Sequence, residues 1–220
     1  MKLVEIFSKA ARDERRQRIN EDIRRGYFAE FKVMQQTKGR VLPPCTSLLP
    51  AQTARAFPRM ECVEAHGDAA TFPEPLPPRD QHKLRATLVT VASRASAQPY
   101  LEAWTKPFTS TLGRHDDLGM VEITIVDSAI MRLWPMKNLL LYSGRSALLR
   151  RGEYDPPTRL LFHFGDAVAP KRELGMVNGL TGYVFLLDSS ARVRWWGSGE
   201  PRPEEIEALL SSAKTLLQAQ

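Results

Sequence analysis

Residues 175–199 read GMVNGLTGYVFLLDSSARVRWWGSG. Thr181–Leu187 is an apolar run of strand length, rich in β-formers and without clean alternation, which predicts a strand buried on both faces. Asp188-Ser189-Ser190 supplies turn chemistry, because short polar side chains bond their own backbone and tolerate the bend. Arg192–Trp196 returns as a second strand. Period-two alternation puts Val193 and Trp195 on one of its faces, Arg192 and Arg194 on the other. Gly197-Ser198-Gly199 ends it. A helix is expected to start between Pro201 and Glu205, where prolines come early and carboxylates meet the positive end of the helix dipole. The module is a β-hairpin followed by a C-terminal helix.

Upstream, the pattern supplies neighbours for that hairpin. Leu84–Ser93 (LRATLVTVAS) predicts a first strand, Gly119–Asp127 (GMVEITIVD) a second and Thr158–Phe164 (TRLLFHF) a third. Pro99–Leu112 predicts a helix with Leu101, Trp104, Phe108 and Leu112 on one stripe, kinked at Pro107. Residues 129–149 are helical in pattern, broken by Pro135 and Gly144. The last helix carries Ile206, Leu209, Leu210, Ala213, Leu216 and Leu217 at helical spacing. The order βαβα-ββα predicts an α/β, thioredoxin-like domain over residues 82–220: crossovers feeding parallel strands, then an antiparallel hairpin and a covering helix.

Two different segments precede it. Residues 1–39 read as a charged amphipathic helix, with Ile19, Ile23, Tyr27 and Phe31 recurring every four positions among many arginines. Acidic residues (Glu5, Asp13, Glu14, Glu21, Asp22) make it a weak mitochondrial presequence. Residues 40–81 are proline-crowded and predict an extended arm with no long regular element, ending in a polyproline-like linker at Pro73–Pro78. Such an arm suits either wrapping a partner or tethering.

The chain has 220 residues, 43% of them hydrophobic, enough for one good core. Its net charge of +6 fits an acidic partner or ordinary solubility equally. Two cysteines make no disulfide framework, and no apolar run reaches the roughly 18 residues that a membrane span needs.

Catalytic signals are sparse. Thioredoxin-like enzymes keep their nucleophile between first strand and first helix, where a helix N-terminus lowers a thiol pKa. Here that loop is Ser93-Arg94-Ala95-Ser96-Ala97-Gln98, without cysteine, so disulfide exchange there is excluded. Cys45, Cys62, His66 and His82 match no compact zinc spacing. His163 sits inside an apolar strand and reads as a core histidine; His115-Asp116-Asp117 follows a helix end and reads as loop. Trp195-Trp196 beside Arg192 and Arg194 could stack RNA bases, but one of two adjacent strand residues faces the core. No catalytic residue, cofactor or metal is assigned.

Asn178–Asp188, then Arg192–Trp195 and Gly197-Ser198-Gly199, resemble the signature of the mitochondrial ATPase-assembly factor family ATP-ten. That signature is N-x-x-x-GYV(F/Y)L(V/L)D, a short turn, (I/V)RW and a GSG-like turn before an acidic helix start, here Glu204 and Glu205. Arg25-Gly26-Tyr27-Phe28 with Lys38-Gly39 is similar to the family's N-terminal element, and Trp134–Leu149 running into Arg150-Arg151 to its central helix. The resemblance implies a thioredoxin-like protein without redox chemistry at the matrix side of the inner mitochondrial membrane. It also implies a chaperone that helps incorporate the proton-channel subunit a into the membrane sector of the F-type ATP synthase. Partner contact is then expected at Arg25, Tyr27, Phe28, Tyr183, Arg192, Arg194, Trp195 and Trp196, with peripheral membrane association. Tyr183 and Trp195 also read as residues that hold the hairpin on the core. An alternative is a structural or assembly component of another large mitochondrial complex, ribosomal or respiratory, which the arm would wrap. RNA contact is expected only within such a particle. A redox enzyme requires Cys45 and Cys62 to fold back onto the domain.

Overall fold

The computed structural model describes residues 28, 30–74, 84–127, 134–149 and 156–218. Its strands are β1 (Met60–Glu64), β2 (Ala69–Phe72), β3 (Ala86–Ala92), β4 (Leu118–Ile125), β5 (Thr158–His163), β6 (Tyr183–Asp188) and β7 (Val193–Ser198). They form one mixed sheet in the order β2-β1-β5-β4-β3-β6-β7. Neighbours β3, β4 and β5 are parallel, while β6 runs antiparallel to β3, and β7 to β6. Helices are α1 (residues 30–37), α2 (Gln98–Leu112), α3 (Trp134–Leu149), α4 (Val168–Leu174) and α5 (Pro203–Gln218). Parallel strands joined through helices, then an antiparallel hairpin and a closing helix, make the architecture α/β and thioredoxin-like.

Both faces of the central strands are buried, which is why their sequences do not alternate in polarity. Val89, Val91, Val121, Ile123, Tyr183 and Phe185 pack on one side of the sheet. Leu88, Leu118, Val184 and Leu186 pack on the other, beneath Trp104 and Phe108 of α2 and Leu209 and Ala213 of α5. The predicted stripe of α2 is the buried one, Leu101, Trp104, Phe108 and Leu112. Burying Leu209, Leu216 and Leu217 of α5 contributes about 5–9 kcal/mol before the entropy of ordering is charged against it.

Three expectations need correction. Val193 and Trp195 do not share a face. Leu186 pairs with Trp195, but Leu187 pairs with Val193, so Arg194 is an extra residue in β7. A bulge of this kind breaks the period of two. Val193 therefore joins the cluster with Phe185, and Trp195 the cluster beneath α2.

Gly144 does not break α3, which runs unbroken from Trp134 to Leu149. A Cβ there would lie 2.9 Å from the Phe162 ring, so the glycine lets the helix approach β5 closely. Pro135 stands in the first helical turn, where a missing N–H costs nothing.

Residues 41–72, expected as an arm outside the domain, build part of its sheet and core. Phe57, Met60, Cys62 and Phe72 lie in the cluster with Val89 and Phe185. The hairpin β1–β2 extends the sheet beyond β5, and residues 45–57 run along the opposite edge, β7. There, Cys45 N–H donates to Trp196 O, Leu49 N–H to Arg194 O, Val193 N–H to Arg55 O and Phe57 N–H to Ala191 O, at 2.8–3.1 Å. Proline-rich chain can serve this role because an edge cover needs only intermittent donors. Helix α4 had no sequence signal: seven residues are too few for a periodic stripe. Pro75–Pro78 lie outside the described residues.

Candidate functional site

Strand β3 delivers Ser93–Gln98 to the position where this architecture places its chemistry. A 3-10 turn, Ala95–Ala97, leads directly into α2, and Pro99 occupies the first turn of that helix. Ser96 Oγ donates to Leu180 O, 3.0 Å away. Ser93 Oγ is buried with no hydrogen-bond partner among the described residues. Beside this loop a cleft of about 510 Å³ opens between α2 and α3 over β4. Its walls are mostly apolar, with Ile125, Leu140, Ala147, Leu160 and Phe162 among them, and Ser93, Arg94 and Gln98 stand at one end. That volume and lining suit apolar side chains of a bound segment.

The cysteines stand apart from this place and from each other. Cys45 packs beneath α2 and α5 and donates Sγ–H to Ser47 O; Cys62 packs on the opposite side of the sheet. Both are free. Burial pushes the Cys62 thiol up to about 11, partly offset by the positive charge of Arg159. A buried thiol kept protonated is a poor nucleophile. Neither cysteine is therefore placed for disulfide exchange at the end of β3. His163 is buried on β5, with Nδ1 2.7 Å from Glu61 O and Nε2 3.3 Å from Asp166 O. Asp117 is held by Arg85 at 3.1 Å. His82 lies outside the described residues.

A network of hydrogen bonds joins α1 and the turn after it to the hairpin. Lys38 and Gly39 turn with positive φ (53° and 77°), and Gly199 with 68°. The two glycines face each other so closely that a Cβ on Gly199 would collide with the Gly39 backbone, and one on Gly39 with Thr181. Thr181 Oγ1 donates to Gly39 O (3.0 Å), Glu200 N–H to Lys38 O (2.9 Å) and Trp104 Nε1 to Gly199 O (2.7 Å). Val41 and Leu42 N–H both donate to Ser198 Oγ, at 3.1 and 2.9 Å. At the other end of α1, the Glu30 carboxylate accepts Gly179 N–H (3.0 Å), and its carbonyl accepts Asn178 Nδ2 (2.8 Å). Gly179 also borders Ser93, 3.9 Å from where its Cβ would lie, so this clasp ends at the mouth of the cleft.

The residues singled out from sequence are distributed as follows. Arg25 and Tyr27 lie outside the described residues, and Phe28 is exposed at the start of the clasp helix. Tyr183 is fully buried; its hydroxyl accepts Asn178 N–H and donates to Asn178 O, both 3.0 Å. Burial raises its pKa to about 12. Trp195 is fully buried edge-on to Trp104. Arg194 donates Nε to Leu49 O (2.6 Å) and Nη1 to Asp188 Oδ2 (3.0 Å). Arg192 reaches Ala51 O (2.9 Å), and Trp196 donates to Pro43 O (2.8 Å) beneath Arg55. The polar face of β7 is thus turned toward residues 43–55 of the same chain. Sequence reading missed Glu30 and Thr181, whose roles depend on partners about 140–150 positions away.

These contacts bring together pieces of sequence that were singled out separately, Lys38-Gly39 and the hairpin with its Gly-Ser-Gly end. A family profile described as "ATP10 protein" matches residues 2–216, covering both. The chain belongs to that family. A relative, "Mitochondrial ATPase complex subunit ATP10" of Saccharomyces cerevisiae, is 24% identical over 201 residues, spanning 85% of this chain and 68% of its own length. "Probable mitochondrial ATPase complex subunit atp10" of Schizosaccharomyces pombe is 44% identical over 45 residues, 20% of this chain and 17% of its own. Among solved structures, BsSco, of the Sco family of cytochrome c oxidase assembly proteins, superposes with a TM-score of 0.49 at 8% identity. It covers 76% of this chain and 96% of its own. A putative thiol:disulfide interchange protein DsbE from Chlorobium tepidum gives 0.43 at 15% identity, over 74% and 96%. Within the ATP10 family, this member has a serine-alanine loop where thiol chemistry would need cysteine.

Proposed function

We propose that this protein is a mitochondrial assembly factor that binds newly made subunit a of the F-type ATP synthase at the matrix side of the inner membrane. It holds that subunit, without catalysis, until the membrane sector incorporates it. The observation that carries the non-catalytic reading is the cleft beside Ser93–Gln98: an apolar opening of about 510 Å³ at the fold's reactive end, bordered by a loop with no thiol. Membership in the ATP10 family, with a yeast relative named as a subunit of the mitochondrial ATPase complex, supports the choice of complex. The clasp gives the client two candidate contacts, Phe28 on the N-terminal segment and the cleft mouth at Ser93.

The test is a pulldown of tagged protein from mitochondria whose translation products have been pulse-labelled. Labelled subunit a should be recovered early in the chase and lost as the synthase matures. Unchanged synthase assembly after depletion of this protein would overturn the proposal. The competing reading, a part of a ribosomal or respiratory particle, drew on an arm free to wrap a partner. Residues 41–72 are instead engaged with their own sheet. Recovery of an intact large particle that survives high salt would restore that reading.

A further inference from the structure

Strands β3, β4, β5 and β7 all finish at one end of the sheet, and β6 starts there. Helix α1 crosses that end. The turn after it, at Gly39, meets Gly199 beyond β7 and Thr181 ahead of β6. Its first turn, at Glu30, meets Gly179, which borders Ser93 beyond β3. Followed toward its N-terminus, the helix therefore moves from β7 across β6 to β3. The next strands in the sheet are β4 and β5, and the cleft lies over them, lined by Glu122 and Thr124 of β4 and Leu160 and Phe162 of β5. Continued at the helical rise, Tyr27 stands about 4.5 Å beyond Glu30 and Ile23 about 10.5 Å, against about 4.8 Å between neighbouring strands.

Face matters as well as reach. Glu30 marks the side of the helix that meets the domain. At 100° per residue, Ile23 and Ile19 fall about 20° from Glu30 around the helix axis, and Tyr27 about 60°. That face is polar where it meets the N–H of Gly179, and its sequence turns apolar where the surface ahead changes from loop to apolar cleft. We infer that, with no client bound, residues 19–27 of the same chain occupy the cleft, continuing α1 into the groove between α2 and α3. An amphipathic helix laid by its apolar side in a concave groove is a common mode of recognition. The anchoring of Glu30 at the cleft mouth selects this segment over a second copy, because a short link gives it an effective concentration in the millimolar range. A client must then displace it, and client affinity is reduced to the fraction of molecules whose cleft is open. That consequence rests on the client site proposed above; the docking of residues 19–27 does not.

Two measurements on the full chain test it. p-Benzoylphenylalanine placed at position 23 and irradiated in dilute protein should crosslink within one molecule to cleft residues such as Leu140 and Phe162, read by peptide mass spectrometry. The same probe at Gln35, exposed and farther along α1 toward β7, should leave the cleft unlabelled. In the second measurement, the variant Ile19→Ser, Ile23→Ser should bind the neutral apolar dye Nile red at least about tenfold more tightly than wild type, since each buried isoleucine is worth about that factor in docking. Adding Ala147→Trp, which fills the cleft from α3, should cancel the gain. Crosslinks from position 23 that miss the cleft, or that only join two copies, would overturn the inference. So would equal dye binding by variant and wild type, or a gain that survives Ala147→Trp. Cleft crosslinks in a protein whose depletion leaves synthase assembly untouched would support the docked segment and sink the assembly role instead.

Discussion

Replacing Gly199 with alanine tests the clasp most directly. The residue has φ of 68°, and its Cβ would run into backbone atoms of Gly39 and Arg40, which cannot swing away as a side-chain tip can. The left-handed conformation alone costs an L-residue about 1–2 kcal/mol. Relieving the collision means lifting residues 38–42 off the hairpin, and that endangers Thr181 to Gly39 O, Glu200 N–H to Lys38 O, and the two donors to Ser198 Oγ. At about 1 kcal/mol for each bond weakened, loss of two or three brings the total to about 3–5 kcal/mol. Gly67→Ala is the matched control. Gly67 has φ of 103° in the β1–β2 turn, but its Cβ would meet nothing within 4 Å, leaving backbone strain of about 1–3 kcal/mol. Urea unfolding followed by tryptophan fluorescence reads both, since Trp104 donates to Gly199 O and Trp196 to Pro43 O. A Gly199→Ala variant no less stable than Gly67→Ala would mean the close approach of the two glycines contributes nothing, and the clasp would lose its energetic basis.

Other perturbations separate the remaining contacts. Trp104→Phe should cost about 1–2 kcal/mol more than Trp195→Phe in urea unfolding, because Trp104 Nε1 is bonded to Gly199 O while buried Trp195 Nε1 has no partner among the described residues. Arg194→Ala should destabilise by about 3–5 kcal/mol, since it leaves Asp188 half of a mostly buried pair, and should make residues 43–57 the first site of limited proteolysis. Cys62 has an ordinary value of 9.0 and is held up to about 11 in the folded protein. The unfolded chain therefore loses this proton first. The part of the stability owed to this thiol, present below pH 9, should be lost as pH rises to 11, about 2–3 kcal/mol; buried Tyr183, held up to about 12, adds its own loss above pH 10. In Cys62→Ala that part of the pH profile should flatten; an unchanged slope would show that the thiol is not its source.

The element list was legible because each element carries a local signal. Apolar runs mark β3 to β6, and helical spacing marks α2 with the buried residues that the structure shows and α5 with most of them, Ile206 and Leu210 being only partly buried. Proline crowding in residues 40–81 signals a lack of regular structure. It hid β1 and β2, since two short strands between prolines look like any irregular chain until they have a sheet to join. Most of the candidate partner residues on β7 were chosen for their chemistry. That chemistry is the same whether a side chain meets a partner or, as for Arg192, Arg194 and Trp196, a carbonyl of its own chain.

By itself, then, the sequence determined the class of fold, the order of its main elements, the missing thiol at the end of β3 and the family. All of these are written in neighbouring residues or in which residue types are present. Only the tertiary structure decided that Arg194 is a bulge that sends Val193 and Trp195 to opposite faces, and that Gly39 meets Gly199. It also decided that Leu139, Tyr142 and Leu149 of α3 face outward while Leu141 is buried. These depend on the register between two paired strands, on an approach between residues 160 positions apart and on which face a neighbour happens to cover, for which periodicity along the chain holds no record.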